Sequence, residues 1–433
     1  MATRKISSAA KPGPKSSGRT KKTPPSKAGV AVTKAKKTRR DVGTPTTQVG
    51  SNPREGASSG RTPPQPDAGS YGSAGVDMVH EGSAMAGLLG WVRKTFEQRP
   101  KGTLGHVVVD VGYFASVIAL GGNLGLAVSA DGVGTKLLVA QLADRYDTVG
   151  VDLVAMNVND LICVGAEPLT LLDYIAIERL DRTMLTAIGK GLHDGAAESR
   201  ITISGGELAQ IGAMLRGAVP GRAFDLAAVA VGLVPLDRVN LGQDVREGDV
   251  VVGLASNGIH SNGLSLARRV LVDQAGLSVH DPLPGGGRVT VGEALLAPTR
   301  IYVRPVLEML RDPRLQVTAL AHITGGGFLN MARIQAPCGY ILDKLPKPPR
   351  VFEAIAEVGG LAPADVYSAF NMGVGFTVTV RPEGVDRVLE IAKEHGIPGQ
   401  VIGRAVTSDV RRITLPSVGL ESDDEGDAFR PIG

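Results

Sequence analysis

Residues 129–136 read Ser-Ala-Asp-Gly-Val-Gly-Thr-Lys, and this octapeptide constrains the fold most tightly. The run before it, 124–128, is apolar with strand character; the run after it, 137–142, is amphipathic with helix character. A strand must become a helix within a few residues, and the two glycines permit that turn. Such a turn aims backbone N–H groups at an anion, and the N-terminus of the helix adds positive potential. Asp131 can hold a divalent cation, and Lys136 can reach a phosphate oxygen. Lys136 falls in the first helical turn, where its charge opposes the helix dipole, a penalty that a bound anion would remove. The sequence G-x-x-x-x-G-K-[ST] is absent, so this is not the common phosphate loop. The competing reading is a tight turn with a solvated lysine.

The same grammar recurs twice. The apolar strand predicted at 249–255 runs into Ser-Asn-Gly-Ile-His-Ser-Asn-Gly (256–263) and a helix to about 275; the strand at 319–323 runs into Thr324-Gly325-Gly326-Gly327 and a short helix. Three such loops, with isolated acids between them, suggest two phosphorylated ligands and a metal. The alternative is that these glycines merely serve tight turns. His260 lies in a polar loop and can donate to a phosphate or move a proton, or be structural. A helix over 149–164, closed by Gly165, puts Asp152, Met156, Asn159, Asp160 and Cys163 on one face. Asp152 and Asp160 are eight residues apart, about 12 Å along the axis, so one ion cannot easily take both. Asp160 falls in the last turn, where the dipole disfavours a carboxylate; a nearby cation, or a bond to a neighbouring side chain, would explain it. Glu207 follows Gly205-Gly206 at the end of a short strand, 201–204, and could join Asp131 on its ion, or be a plain surface carboxylate.

The chain has 433 residues, room for two or three domains. Residues 1–70 hold fifteen Lys and Arg against three acids, so the chain's net charge of +4 leaves residues 71–433 at −8. The basic, Pro- and Lys-rich segment 1–70 reads as a disordered tail; the acidic body is a poor nucleic-acid surface, leaving weak contact through the tail alone. We expect an N-terminal domain over 71–240, a C-terminal domain over 241–415 and an acidic extension over 416–433, frayed over 420–433. The predicted element order, β-α-α-β-α-β-β up to residue 234, indicates α/β architecture in α+β layers rather than a Rossmann sheet. Cys163 and Cys338 form no C-x-x-C pair and suit a reducing, cytoplasmic setting without disulfides. No apolar run approaches the roughly 18 residues of a membrane span.

Ordered blocks from residue 71 to about 412 resemble one family: DGVGTK (131–136), VDLVAMNVNDLICVG (151–165), AEPLTLLDY (166–174), GGE (205–207), IHSNGL (259–264), LAPTRIYV (296–303), TGGGF (324–328) and FNMGVG (370–375). They are similar to the phosphoribosylformylglycinamidine cyclo-ligases, or aminoimidazole ribonucleotide (AIR) synthetases. The resemblance implies a two-domain PurM-like fold, a homodimer whose N-terminal halves build a shared β-barrel, and an ATP- and Mg²⁺-dependent reaction. ATP phosphorylates the formyl oxygen of formylglycinamidine ribonucleotide, an amidine nitrogen attacks, phosphate leaves and the imidazole closes. It implies Mg²⁺ on Asp131, Asp160 and Glu207, and nucleotide against Gly132, Gly134, Thr135, Lys136 and Asn159. It implies substrate against Ser261, Asn262, Thr324, Gly325, Gly326, Gly327 and Asn371, with His260 moving a proton. The chain departs from the family pattern at Ala130, at 205–212 (GGELAQIG), at 111–116 (VGYFAS) and at Leu89. Alternatives are a diverged superfamily member phosphorylating another acyl or amide group, or an inactive paralogue tethered to nucleic acid by its tail.

Overall fold

The apolar run at 124–128 opens β3 (Leu124–Gly132), and its alternating burial sets a helix-covered face against an outer one. A computed structural model describes residues 78–423 and 426–433, with side chains from residue 85 onward, within the unit Pro64–Gly433. The expected basic tail lies outside the described residues.

β3 belongs to a six-stranded sheet in the order β1-β2-β3-β6-β4-β5. Its other members are β1 (Val107–Val109), β2 (Ser116–Gly121), β4 (Glu167–Ile177), β5 (Thr202–Gln210) and β6 (Phe224–Pro235). Only the β4–β5 pair is parallel, joined by the crossover helix that parallel neighbours need. After the leading helix α1 (Met78–Lys94), the helices of this half are α2 (Lys136–Leu142), α3 (Asp147–Cys163) and the crossover α4 (Arg182–Ser199). Mixed layers of helix on sheet were expected, and the strand expected at 201–204 continues to Gln210.

The second sheet has eight strands in the order β14-β13-β12-β9-β11-β7-β10-β8. They are β7 (Val250–Ala255), β8 (Val317–His322), β9 (Cys338–Ile341), β10 (Val374–Val380), β11 (Gly399–Thr407), β12 (Ile413–Leu415), β13 (Leu420–Ser422) and β14 (Phe429–Pro431). The extension expected to fray instead adds β13 and β14. Glu421 holds them by pairing with Arg412 and Arg430 at 3.0 and 3.2 Å, and Leu420 and Phe429 are buried.

α3 joins the two halves. It is buried nearly all round, its polar Asp152, Asn157 and Asn159 included. It packs on α4, β3 and β6 of the first half and on β8 and the later helix Val303–Arg311 of the second. Val111-Gly112-Tyr113-Phe114 lies at a second junction: Tyr113 and Phe114 meet edge to face at 5.2 Å, the Arg333 guanidinium lies 4.8 Å over the Phe114 ring, and both rings border Tyr340 and β8. Among the described residues no helix is long and apolar enough to cross a membrane.

Candidate functional site

All three glycine-rich turns leave a strand and enter a helix: β3 into α2, β7 into α5 (Leu264–Arg268), and β8 into a 3₁₀ turn, Gly327–Arg333. They meet at one cleft of about 740 Å³, walled by Gly134 and Thr135, by 261–265, and by Gly325 and Gly326, with Arg333 and Asp427 further along. Gly134, Gly263 and Gly326 have φ of +68°, +79° and +88°, a region that L side chains avoid. At Gly134 and Gly326 the space a Cβ would take is open, so backbone there can come close to a ligand, whereas at Gly263 it is filled by the Phe370 ring. Thr135 Oγ1 lies 2.8 Å from Ser265 Oγ and links the first loop to the second.

Several polar residues assigned to ligands are instead buried braces. Lys136 is fully buried, as is Asp152, and its Nζ lies 2.9 Å from that carboxylate and donates to Ala297 O at 2.7 Å. Burial lowers the lysine's pKa, and Asp152 opposes that. Asp152, not a bound anion, therefore offsets the helix-dipole penalty, and Lys136 does not reach the cleft. Asn159 is also fully buried: it donates to Arg300 O and accepts from Tyr302 N, both at 2.9 Å. Asn371 donates to Gly258 O and Ile259 O and accepts from Gly373 N and Ser256 Oγ, which ties down the second loop from inside.

His260 is buried too. Its Nε2 accepts from Asn257 N at 3.1 Å and from Arg300 N at 3.4 Å, so the ring is neutral with its proton on Nδ1. Burial, then the charges of His322, Lys136 and Arg300, hold its pKa well below the ordinary value. It is a loop brace and not an exposed proton carrier. Gly327 is packed: a Cβ there would strike the carbonyl oxygens of Tyr367 and Phe370. Thr324 O closes its turn by accepting from Gly327 N and lies off the cleft wall. Gly132 N–H turns back onto Asp131 Oδ1 at 2.7 Å.

The acids divide likewise. Asp131 sits where β3 outruns β2, so its free backbone edge needs partners. Asn157 of α3 supplies both, accepting from Asp131 N at 3.0 Å and donating to Asp131 O at 3.3 Å. Asp131's pKa is pushed up to about 6, first by burial and then by the charge of Asp160. Asp160 is held 2.9 Å from Nδ1 of the buried His322, at the end of β8. The neighbouring side chain foreseen for Asp160 is thus His322, which the sequence reading missed because it lies 162 residues away. Two carboxylates that repel one another fit a divalent cation, which commonly takes one or two carboxylates and keeps several waters.

Glu207 does not join them. Across the sheet Asp131, Ala228, Asp173 and Gly206 stand in one row, so Glu207 points to the opposite face, beside Tyr174. No group of three potential metal-ligating side chains occurs among the described residues. Asp173, also unassigned from the sequence, shares Asp131's face; its carboxylate lies over Gly206, where a Cβ would collide with it.

Comparison with known proteins bears on this geometry. Residues 112–234 match the model of the AIR synthase related protein N-terminal domain, and 246–415 that of its C-terminal domain. A phosphoribosylformylglycinamidine cyclo-ligase from Methanocaldococcus jannaschii is 44% identical over 338 residues, 78% of this chain and 92% of the relative. One from Methanothermobacter thermautotrophicus is 43% identical over 351 residues, 81% and 99% respectively. A thiamine-monophosphate kinase from Stenotrophomonas maltophilia shares the fold, with a TM-score of 0.50 at 18% identity over 75% of this chain and 94% of that one.

Two outcomes follow from this geometry. Lys136→Ala would strand Asp152 as a buried, unpaired charge, so it should cost about 3–5 kcal/mol in denaturant unfolding; Thr135→Ala, at the cleft, should cost little. A Lys136→Ala protein of unchanged stability would refute the brace. Second, Asp131 binds its proton more tightly folded than unfolded, so stability should fall as pH rises from about 4 to about 6, and Asp131→Asn should flatten that slope. Below about pH 6, Mn²⁺ affinity measured by calorimetry should drop by about tenfold per pH unit; affinity constant from pH 5 to 7.5 would exclude Asp131 as a ligand.

Proposed function

We propose that this chain, which belongs to the phosphoribosylformylglycinamidine cyclo-ligase family, closes the imidazole ring of AIR from formylglycinamidine ribonucleotide in purine biosynthesis. The observation that carries the reading is the cleft shared by the three glycine-rich loops, one from the first sheet and two from the second. A site assembled from both halves suits a reaction that brings a nucleotide and a phosphorylated substrate together. A cytoplasmic location accords with that activity.

The formyl oxygen is a poor leaving group until it is phosphorylated, and ATP is the donor in this reading. Phosphoryl transfer asks the protein chiefly for alignment and charge stabilisation. Mg²⁺ would be held by Asp131 and Asp160 and would neutralise phosphate charge. Backbone at Gly134, Gly325 and Gly326 can approach phosphate oxygens closely, and Thr135 adds a hydroxyl. Lys136, Asn159, His260 and Asn371 act behind this surface: they fix the loops that carry it.

The reading includes a homodimer. Leu124, Leu172, Tyr174 and Val229 lie on the outer face of the six-stranded sheet and are each about two-fifths exposed (38–44%). An apolar sheet face of this kind fits a second copy of itself.

Purified protein given formylglycinamidine ribonucleotide, ATP and Mg²⁺ should form AIR with one ADP per turnover. No product at saturating ATP and Mg²⁺ would reject the assignment. Leu172→Glu should shift the sedimentation coefficient from dimer to monomer; an unaltered dimer would move the interface elsewhere.

A further inference from the structure

The buried ion pair behind the cleft fixes the direction of a chain of hydroxyl protons. Asp152, paired with Lys136, is a carboxylate and can only accept. Thr299 gives it two hydrogen bonds, from its backbone N–H at 2.7 Å and from Oγ1 at 2.6 Å, both to Oδ1. The hydroxyl proton of Thr299 is thereby committed. What remains on Thr299 Oγ1 is a lone pair, and Ser261 Oγ lies 3.1 Å from it. Ser261 must therefore donate to Thr299. A hydroxyl has one proton, so Ser261 Oγ has only lone pairs left for the cleft whose wall it forms. Asn262, next along that wall, has its amide oxygen buried with no hydrogen-bond partner among the described residues.

A phosphate oxygen brings no proton and would meet Ser261 lone pair to lone pair. An N–H group is the complementary partner. We propose that Ser261 is a specificity-determining residue that accepts a hydrogen bond from the amidine N–H of the substrate, with Asp152 and Thr299 as positioning residues that set its polarity. The ribose phosphate accordingly binds elsewhere along the cleft. The inference rests on the cleft being the substrate site, and it adds how the enzyme tells an amidine from the corresponding amide. An amide presents a carbonyl oxygen where the amidine presents N–H, and a fixed acceptor rejects it.

The test compares binding of formylglycinamidine ribonucleotide with that of the analogue carrying an amide in place of the amidine. Wild-type protein should prefer the amidine. In Ser261→Ala the amidine affinity should fall about tenfold while the amide affinity holds or rises, so the preference shrinks; the KM for ATP should stay unchanged. Thr299→Val retains the backbone N–H to Asp152 but frees the Ser261 proton, so Ser261 can also donate. It should weaken the preference mainly by improving amide binding, and it tests the proposal even if the Ser261 variant folds poorly. Equal losses for both ligands in Ser261→Ala, or an unchanged preference in Thr299→Val, would overturn the polarity argument and leave the proposed function standing. Failure of wild-type protein to bind the amidine would overturn the function itself.

Discussion

The Lys136–Asp152 ion pair holds the architecture of the cleft. Both side chains are fully buried, and removing two charges from water costs several kcal/mol per ion before their attraction is counted. Such a pair adds little net stability. It does add specificity of arrangement, because every hydrogen-bonding direction around it must be filled. Here Ala297 O takes one ammonium proton and both donors of Thr299 go to Asp152 Oδ1, while Oδ2 has only the ion pair with Lys136. A lysine on the first loop and an aspartate on α3 thus clamp the 297–299 segment of the other half against the first sheet. Asn159 repeats the device one step along, gripping Arg300 O and Tyr302 N.

The glycine-rich loops were legible in the sequence for a local reason. An apolar run, a glycine turn and an amphipathic run are adjacent in the chain, and local sterics decide their conformation. The roles of polar side chains were not legible, because a partner decides them and partners are distant. Lys136 finds Ala297 161 residues away, and Asn371 finds Gly258 113 residues away. A lysine after two glycines reads the same whether a phosphate or a buried aspartate awaits it. Glu207 failed for another reason: the strand expected to end at 204 runs on to Gln210. Strand parity then decides the face, and a shift of one residue moves a side chain across the sheet.

The C-terminal segment shows the same limit. Its acidic residues suggested a frayed end, yet Glu421 sits between Arg412 and Arg430, and the Arg412 hydrogen bond, then the charges of both arginines, hold its carboxyl below its ordinary range. Composition counts charges without their neighbours. Two short strands close the edge of the second sheet through pairing that no local pattern announces.

α3 carries the decisive contrast. Asp152 and Asp160 stand eight residues apart on one helix, about 12 Å along its axis. Asp152 meets a lysine and has its charge matched. Asp160 meets a histidine, and its charge adds to burial in raising the Asp131 carboxyl to about 6. A compensated buried charge is what a fold needs to hold its parts in place. Two carboxylates that repel one another across the ends of a strand and a helix cost stability, and perturbed carboxylates of this kind mark a candidate functional site. The spacing that keeps one ion from bridging both aspartates of α3 therefore lets a single helix serve both purposes. One end locks the two halves together, and the other sets Asp160, backed by His322, against Asp131 at the first glycine loop.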